Sequence, residues 1–142
     1  MPQRTSQAVW TGDLRAGSGS MKIGARGADM PFSFDSRFAD GSGSNPEELI
    51  AAAHAGCFTM ATAAGLTRAG FKPDRLTTTA SVYLESEAGG FTIKRIDLEM
   101  QARVPGIDNA SFQKIAAEAK QGCPVSRALA AVPEITLKAT LG

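Results

Sequence analysis

One long helix is marked at both of its ends in this 142-residue sequence, and the rest of the chain must pack around it. Asn45 is a favourable N-cap, Pro46 suits the first helical position, and Glu48 stands where a capping box requires an acid. Gly70 is a typical C-terminal stop. The sequence therefore predicts one continuous helix that ends one or two residues before Gly70.

The middle of this helix is long and uncharged enough to imitate a membrane span. The stretch from Leu49 to Leu66 contains no Asp, Glu, Lys or Arg and would be about 27 Å long as a helix. It consists mostly of Ala, Gly and Thr, however, and it contains His54. We therefore predict a buried central helix. The first residues show no apolar segment typical of a signal peptide, so we expect a cytoplasmic protein that does not enter a membrane.

The segments on either side of this helix are grouped by type instead of alternating. Three short strands are predicted before it, at 5–15, 20–26 and 31–36, and a long hairpin after it, at 77–85 and 91–104. A second helix at 109–121, a helical turn ending at Leu129 and a last strand at 134–141 complete the chain. This grouping favours an α+β fold with antiparallel sheets packed on two main helices, in a single domain over residues 1–142.

The composition is that of a globular protein and excludes a nucleic-acid-binding surface. Hydrophobic residues make up 43% and charged residues 20%, and the net charge is only +1. The Lys and Arg residues are scattered, without the basic stripe that a nucleic-acid binder needs. The sequence also offers no cluster of metal ligands, so we expect neither a metal nor a cofactor.

Chemical function is expected at the chain's two cysteines, Cys57 and Cys123. In a reducing compartment such a pair is more often redox-active than structural. Cys57 lies in the apolar helix, where an inert core cysteine is the common alternative. His54 is the one ionisable residue among its helical neighbours, so a thiolate at Cys57 would need a cation from elsewhere. Arg37, directly after the third predicted strand, is the best candidate, although it could also be a solvated surface arginine.

Cys123 carries the stronger local signals for a low thiol pKa. It precedes Pro124, which excludes it from the helical region and suits the first position of a new helix. As the N-cap of that helix, Cys123 would meet free N–H groups that favour a thiolate. A partly buried cysteine at a helix kink is an equally good interpretation. These signals leave open which thiol attacks first.

Glu47, at the second helical position, is free to orient another side chain, although the helix dipole alone would explain it. Along one continuous helix it lies about 15 Å from Cys57, too far to serve the cysteine of its own chain. A second copy of the helix, packed antiparallel through the small residues at 51–56, would bring the two together. We therefore expect a homodimer with shared sites.

Two long stretches closely resemble known cysteine motifs. NPEELIAAAHAGCFTM, from Asn45 to Met60, and GCPVS, from Gly122 to Ser126, resemble the two cysteine motifs of the OsmC/Ohr family of thiol peroxidases. VPGID, from Val104 to Asp108, and TSQAVWTGDL near the start look like the OsmC branch. The resemblance thus extends over essentially the whole chain.

The resemblance implies a role for each candidate residue. Cys57 matches the peroxidatic cysteine and Cys123 the resolving cysteine, while Arg37 matches the arginine that holds thiolate and peroxide, oriented by Glu47. It implies an intertwined homodimer with sites at the interface. It also implies reduction of organic hydroperoxides, and more weakly of hydrogen peroxide, through a sulfenic acid at Cys57 and a Cys57–Cys123 disulfide. A dithiol of the lipoyl type would regenerate the enzyme, in a response to oxidative or osmotic stress.

Two other functions are compatible with the same residues. The chain could be a non-catalytic protein that binds a small hydrophobic ligand, with structural cysteines. It could also be a thiol–disulfide regulator that senses oxidants and passes the signal to a partner.

Overall fold

The computed structural model describes residues 2–11, 13–24 and 27–142. The chain divides into two compact units, residues 1–49 and residues 50–142, which are described separately here. Each unit contains one three-stranded sheet. The α+β class is confirmed, and the single domain over residues 1–142 stays a prediction.

The first unit begins with an antiparallel meander of β1 (Gln7–Thr11), β2 (Ser18–Lys22) and β3 (Asp29–Phe32). Gly19, in the middle strand, pairs with Trp10 on one side and Phe32 on the other. A Cβ atom at Gly19 would lie 2.6 Å from the Phe32 ring and 2.8 Å from the Trp10 ring. Glycine at this position therefore lets the two aromatic rings pack 5.2 Å apart.

The third predicted strand is wrong in its second half, because the chain turns into a short helix, α1 (Phe34–Phe38). Ser33 and Ser36 form a reciprocal capping box. The Ser36 N–H donates to the Ser33 hydroxyl at 3.1 Å, and the Ser33 N–H donates to the Ser36 hydroxyl at 2.8 Å. The alternation of Phe32 and Phe34 imitates a strand, but the two serines satisfy the N–H groups of a helix start.

The first two strands differ from their predicted bounds. β1 is shorter than the predicted 5–15. β2 begins at Ser18, two residues before the predicted strand at 20–26. Arg26, the predicted end of this strand, lies outside the described residues.

The long helix α2 (Pro46–Arg68) has the predicted bounds. At its start the Asn45 side chain accepts a hydrogen bond from the Glu48 N–H at 2.8 Å, and the Glu48 carboxylate accepts one from the Ser44 hydroxyl at 2.9 Å. At its end Gly70 has φ +87, and the Phe71 N–H closes the last turn.

The interior position of α2 is confirmed for one face only. Residues spaced by four along this face are buried: His54, Phe58, Thr62 and Leu66. Met60, on another face, is 75% exposed. By length and composition alone α2 could cross a membrane, and the core helices of many proteins share this length and composition.

The second unit combines a hairpin with two helices and a last strand. Its elements after α2 are β4 (Arg75–Glu87), β5 (Gly90–Arg103), α3 (Asn109–Gly122), α4 (Pro124–Ala128) and β6 (Glu134–Leu141). The predicted hairpin is formed by β4 and β5, whose pairing register shifts near Lys94. β6 corrects the expectation of purely antiparallel sheets, because it pairs with β5 in parallel. The two helices between β5 and β6 return the chain to the same end of the sheet, as a parallel pair requires.

The core of the second unit lies between β5 and the two longer helices. β5 buries alternate side chains from Ile96 to Ala102, and α3 contributes Phe112 and Ala116. Cys123 belongs to the same buried cluster. The second cysteine is therefore placed by core packing.

The close approach of α2 and α3 at Gly65 gives a stability prediction. A Cβ atom there would lie 2.8 Å from Cγ2 of Ile115, a branched and therefore stiff side chain. Overpacking costs about 1–3 kcal/mol, more than the roughly 1 kcal/mol that alanine gains over glycine inside a helix. We expect Gly65→Ala to lower the free energy of unfolding measured with urea.

Gly122→Ala is the matched control, because no atom lies within 4 Å of a Cβ at that helical glycine. It should leave the stability unchanged or raise it. Ile115→Ala in the Gly65→Ala background should remove the penalty of the added methyl group. Equal stability changes at the two glycines would contradict the close approach.

Candidate active site

The two cysteines of the second unit are free thiols in contact with each other. Cys57 lies half-buried on α2, and Cys123 is buried at the junction of α3 and α4. The two thiols lie close enough for each to shift the pKa of the other. Two sulfurs this close are placed for disulfide chemistry after a small movement.

Cys123 is the N-cap of α4, as the Cys-Pro sequence predicts. Its backbone is extended, with φ −63 and ψ 133, and its sulfur accepts a hydrogen bond from the Ser126 N–H at 3.3 Å. Burial by itself acts to raise the pKa of Cys123. The Ser126 hydroxyl and N–H and the Cys57 thiol outweigh burial and hold the pKa below its usual value.

Cys57 is the weaker acid of the pair. Burial raises the pKa of its thiol, and a contact with the Val125 backbone opposes this. The neighbouring Cys123 thiol raises the pKa further. Two neighbouring thiols resist ionising together, and the Cys123 sulfur has the better donors. Within this unit, local chemistry therefore favours the thiolate at Cys123.

Arg37 and Glu47 form a bidentate ion pair in the first unit. Arg37 Nη2 donates to Glu47 Oε1 at 2.7 Å, and Nε donates to Oε2 at 3.2 Å. The Arg37 side chain is 37% exposed and that of Glu47 only 12%. The predicted orientation of Arg37 by Glu47 is thus present as a contact. Arg37 lies in the last turn of α1, not directly after a strand as expected from the sequence.

Arg37 also lines a cavity of about 240 Å³ whose walls are largely aromatic. Phe34 and Phe38 pack there with ring centroids 5.0 Å apart, and the guanidinium carbon of Arg37 lies 5.1 Å from the Phe38 ring. The other lining residues are Trp10, Leu14, Phe32 and Ser33. Sequence reasoning missed this cavity, although three phenylalanines within five residues of Arg37 were the available signal.

The four predicted site residues thus form two contacting pairs, Arg37 with Glu47 and Cys57 with Cys123. The ion pair belongs to the first unit and the thiols belong to the second. Within the described residues, no three of the His, Cys, Asp and Glu side chains meet where they could hold a metal ion. The catalytic roles of the four residues stay predictions.

Known proteins resemble this chain in sequence and in fold. The family model described as OsmC-like protein matches residues 39–138. The chain is 45% identical over 135 residues to Peroxiredoxin OsmC of Escherichia coli, covering 94% of this chain and 93% of that protein. The chain belongs to the OsmC family.

More distant members of the OsmC family agree with this assignment. The organic hydroperoxide resistance protein of Xanthomonas axonopodis is 37% identical over 100 residues, covering 70% of this chain and 68% of its own. The crystal structure of an OsmC-like protein from Mycoplasma pneumoniae superposes with a TM-score of 0.78 at 15% identity, covering 99% and 97% of the two chains. That structure supports the fold alone. At the level of enzyme class, the sequence relatives make the chain a thiol peroxidase.

One buried side chain of this OsmC-family site was given no role in the sequence analysis. His54 is fully buried, and its Nε2 lies 2.7 Å from the Ser126 hydroxyl oxygen, although 72 residues separate the two in sequence. The Ser126 oxygen also accepts a hydrogen bond from the Cys123 thiol at 3.3 Å. His54 and Cys57 are three residues apart on one helix. This spacing could have suggested that His54 lies near the cysteines.

The burial of His54 gives a pH prediction. Burial lowers the pKa of His54 below its ordinary value of 6.5, so below that pH the unfolded chain binds a proton that the folded chain refuses. The contribution of neutral His54 to the free energy of unfolding should therefore be fully present above about pH 6.5. It should decrease as the pH falls towards the lowered pKa. The loss should be at most about 1.4 kcal/mol per pH unit.

His54→Gln should remove this component, and the single histidine of the chain makes the comparison direct. The measurement is urea unfolding of both proteins at about pH 7.5 and about pH 5.5. The difference between the two pH values should be smaller for the variant. An equal pH dependence in both proteins would show that His54 takes up its proton as readily in the folded state.

Proposed function

We propose that this OsmC-family protein reduces organic hydroperoxides to alcohols with Cys57 as the attacking thiol and Cys123 as the resolving thiol. The observation that carries the proposal is the contact between the free thiols of half-buried Cys57 and buried Cys123. Peroxide can reach the first sulfur more easily than the second. A disulfide between them needs no large rearrangement of the second unit.

The reaction proceeds in three steps that balance. The Cys57 thiolate attacks the peroxide oxygen that is not bound to carbon, the O–O bond breaks, and the alkoxide leaves as an alcohol after taking a proton. The Cys57 sulfenic acid is then attacked by the Cys123 thiolate, the S–O bond breaks as the disulfide forms, and the hydroxide that leaves takes up a proton to become water. A dithiol finally reduces the disulfide by exchange and is itself oxidised. A lipoyl-type dithiol in the cytoplasm is the proposed reductant.

The proposed preference for organic peroxides is supported by the cavity around Arg37. Its aromatic walls suit the carbon chain of an organic hydroperoxide, and the guanidinium suits the peroxide oxygens. Hydrogen peroxide has no group to fill the apolar part and should react more weakly. The same cation would stabilise the Cys57 thiolate, which lacks donors of comparable strength in its own unit.

A homodimer with shared sites is part of this proposal. α2 is one continuous helix, so Glu47 and Cys57 lie about 15 Å apart along it. In the single chain α2 also exposes small or apolar residues at helical spacing: Ala52, Ala53, Gly56, Met60 and Ala64. A second α2, packed against this face, would cover it and bring the ion pair of one chain to the cysteines of the other.

Stopped-flow oxidation with an alkyl hydroperoxide tests the roles of the cysteines. Cys57→Ser should abolish turnover, because the attacking sulfur is gone. Cys123→Ser should still consume one equivalent of peroxide and accumulate a sulfenic acid that a dimedone-type probe captures. An inert Cys123→Ser variant would reverse the two roles.

The same experiment separates the alternative functions. Oxidation no faster than that of a free thiol would favour a non-catalytic ligand-binding protein. Fast oxidation without turnover by any small dithiol would favour a redox regulator that passes its disulfide to a protein partner.

Mixed dimers test the sharing of sites. Arg37→Ala chains combined with Cys57→Ser chains contain one intact site only if Arg37 serves the cysteine of the partner. Such heterodimers, purified through two different affinity tags, should then show about half of the wild-type activity, since one of two symmetric sites remains. Each parent variant should have little activity.

The reciprocal pairing is the control. Wild-type chains combined with Arg37→Ala/Cys57→Ser chains contain the same substitutions, but sharing across the dimer leaves no intact site. Activity in this heterodimer, and none in the first one, would show that each chain completes its own site.

A further inference from the structure

A buried polar chain connects α2 to the second cysteine. His54 Nε2 lies 2.7 Å from the Ser126 hydroxyl oxygen, and that oxygen lies 3.3 Å from the Cys123 sulfur. The exposed fractions are 0% for His54, 8% for Ser126 and 1% for Cys123. The proposed peroxidase mechanism makes no use of the histidine or the serine. Polar groups that are buried together in an apolar core are costly, and a functional role would explain why these three are present.

The other ring nitrogen of His54 fixes the direction of these hydrogen bonds. Among the described residues, Nδ1 is a buried side-chain atom without a hydrogen-bond partner. A buried N–H without an acceptor is rarer than a buried acceptor without a donor. We therefore assign the proton of the neutral ring to Nε2, whose N–H donates a hydrogen bond to the Ser126 oxygen. Burial also lowers the pKa of His54 and so keeps the ring neutral.

This arrangement serves both forms of the second cysteine. When Cys123 is a thiol, the Ser126 oxygen accepts one hydrogen bond from the thiol and one from His54. When Cys123 is a thiolate, the hydroxyl proton of Ser126 can rotate towards the sulfur, because a hydroxyl both donates and accepts. The histidine then still donates to the serine oxygen and strengthens the bond between serine and sulfur.

We propose that His54 is a positioning residue that acts through Ser126 to make Cys123 the sulfur released as a thiolate when the Cys57–Cys123 disulfide is reduced. This inference rests on the proposed function, because it assumes that disulfide. It assigns the histidine of the first cysteine motif to the chemistry of the second motif.

The reductive step balances in atoms and electrons. A thiolate of the dithiol attacks the Cys57 sulfur, a new S–S bond forms there, and the electron pair of the old bond stays on Cys123. The second thiol of the dithiol then displaces Cys57, and the two protons of the dithiol return to the two cysteines. Exchange is faster when the leaving thiol has the lower pKa, so stabilising Cys123 directs the attack to Cys57.

Within the described residues, other titratable groups approach Cys123 from α2 and α3. Cys57 approaches it from α2. Arg68 of α2 and Glu118 of α3 line, together with Cys123, a cavity of about 240 Å³. Because these two side chains carry opposite charges, their effects on the thiolate oppose each other. The Ser126 hydroxyl and N–H are the donors that favour the thiolate.

The test is a titration of Cys123 in the Cys57→Ser background, in which it is the sole cysteine. The ultraviolet absorbance of the thiolate reports its pKa without any peroxide. Ser126→Ala should raise the pKa of Cys123 by about one pH unit, the effect of losing a hydrogen bond to a charged group. His54→Leu should raise the pKa of Cys123 by a smaller amount, because it removes only the bond that strengthens the Ser126 donor. His54→Gln should keep the wild-type value, because its amide N–H can replace Nε2 as the donor.

Thr62→Val is the matched control for a change on the buried face of α2. Thr62 is fully buried, but its hydroxyl donates to the Phe58 carbonyl, one turn earlier in the same helix. This variant should leave the pKa of Cys123 unchanged, and circular dichroism should show that all variants are folded. A rise as large in Thr62→Val as in His54→Leu would overturn the inference. An equal rise in His54→Gln would also overturn it.

A second readout separates this inference from the proposed function. The disulfide is formed with diamide in proteins that keep both cysteines, and dithiothreitol then reduces it. Reduction should be severalfold slower in Ser126→Ala and His54→Leu than in the wild type. Unchanged pKa and unchanged reduction would overturn the inference. Both effects, in a protein that forms its disulfide with diamide but not with a hydroperoxide, would support the inference and overturn the peroxidase function.

Discussion

The site depends on one break in the backbone, between α3 and α4. Gly122 ends one helix and Pro124 begins the next. Cys123, the single residue between them, has the extended conformation of an N-cap. A cap residue must satisfy free N–H groups, and here a sulfur accepts from the Ser126 N–H. The same turn carries the Ser126 hydroxyl to the sulfur and to His54. Sulfur and hydroxyl are thus placed by one local constraint, and the imidazole reaches the hydroxyl from α2.

This constraint also decides which thiol is the stronger acid. Contact between two thiols makes their ionisation competitive, and the donors around Cys123 favour that sulfur. The pKa of Cys57 is raised by burial and by its neighbour. The proposed reaction therefore assigns the activation of Cys57 to the guanidinium of Arg37, which Glu47 holds in a bidentate ion pair. The proposed reaction divides the work, since one thiol is prepared by backbone donors and the other by a side-chain cation.

Features with local causes were predictable from the sequence, and features with distant causes were not. The bounds of α2 and the N-cap role of Cys123 follow from residues within one turn of each boundary. The parallel pairing of β6 is set by the return of the chain across the sheet, which no local pattern encodes. α1 was missed because Phe32 and Phe34 alternate as in a strand, while the capping serines lie within the same few residues. The contact of His54 with Ser126 joins residues 72 positions apart.

The exposure and the acidity of the two sulfurs favour the same division of roles. Cys57 is the more exposed of the two and Cys123 is 1% exposed, so in the proposed reaction peroxide and reductant both reach Cys57 first. A sulfenic acid at Cys57 can be oxidised further by a second peroxide, and that product is not reduced by thiols. A resolving thiol that is already in contact, and already favoured as a thiolate, shortens the lifetime of the sulfenic acid. In the proposed reaction, the hydrogen bonds around Cys123 therefore protect the attacking cysteine as well as promote its regeneration.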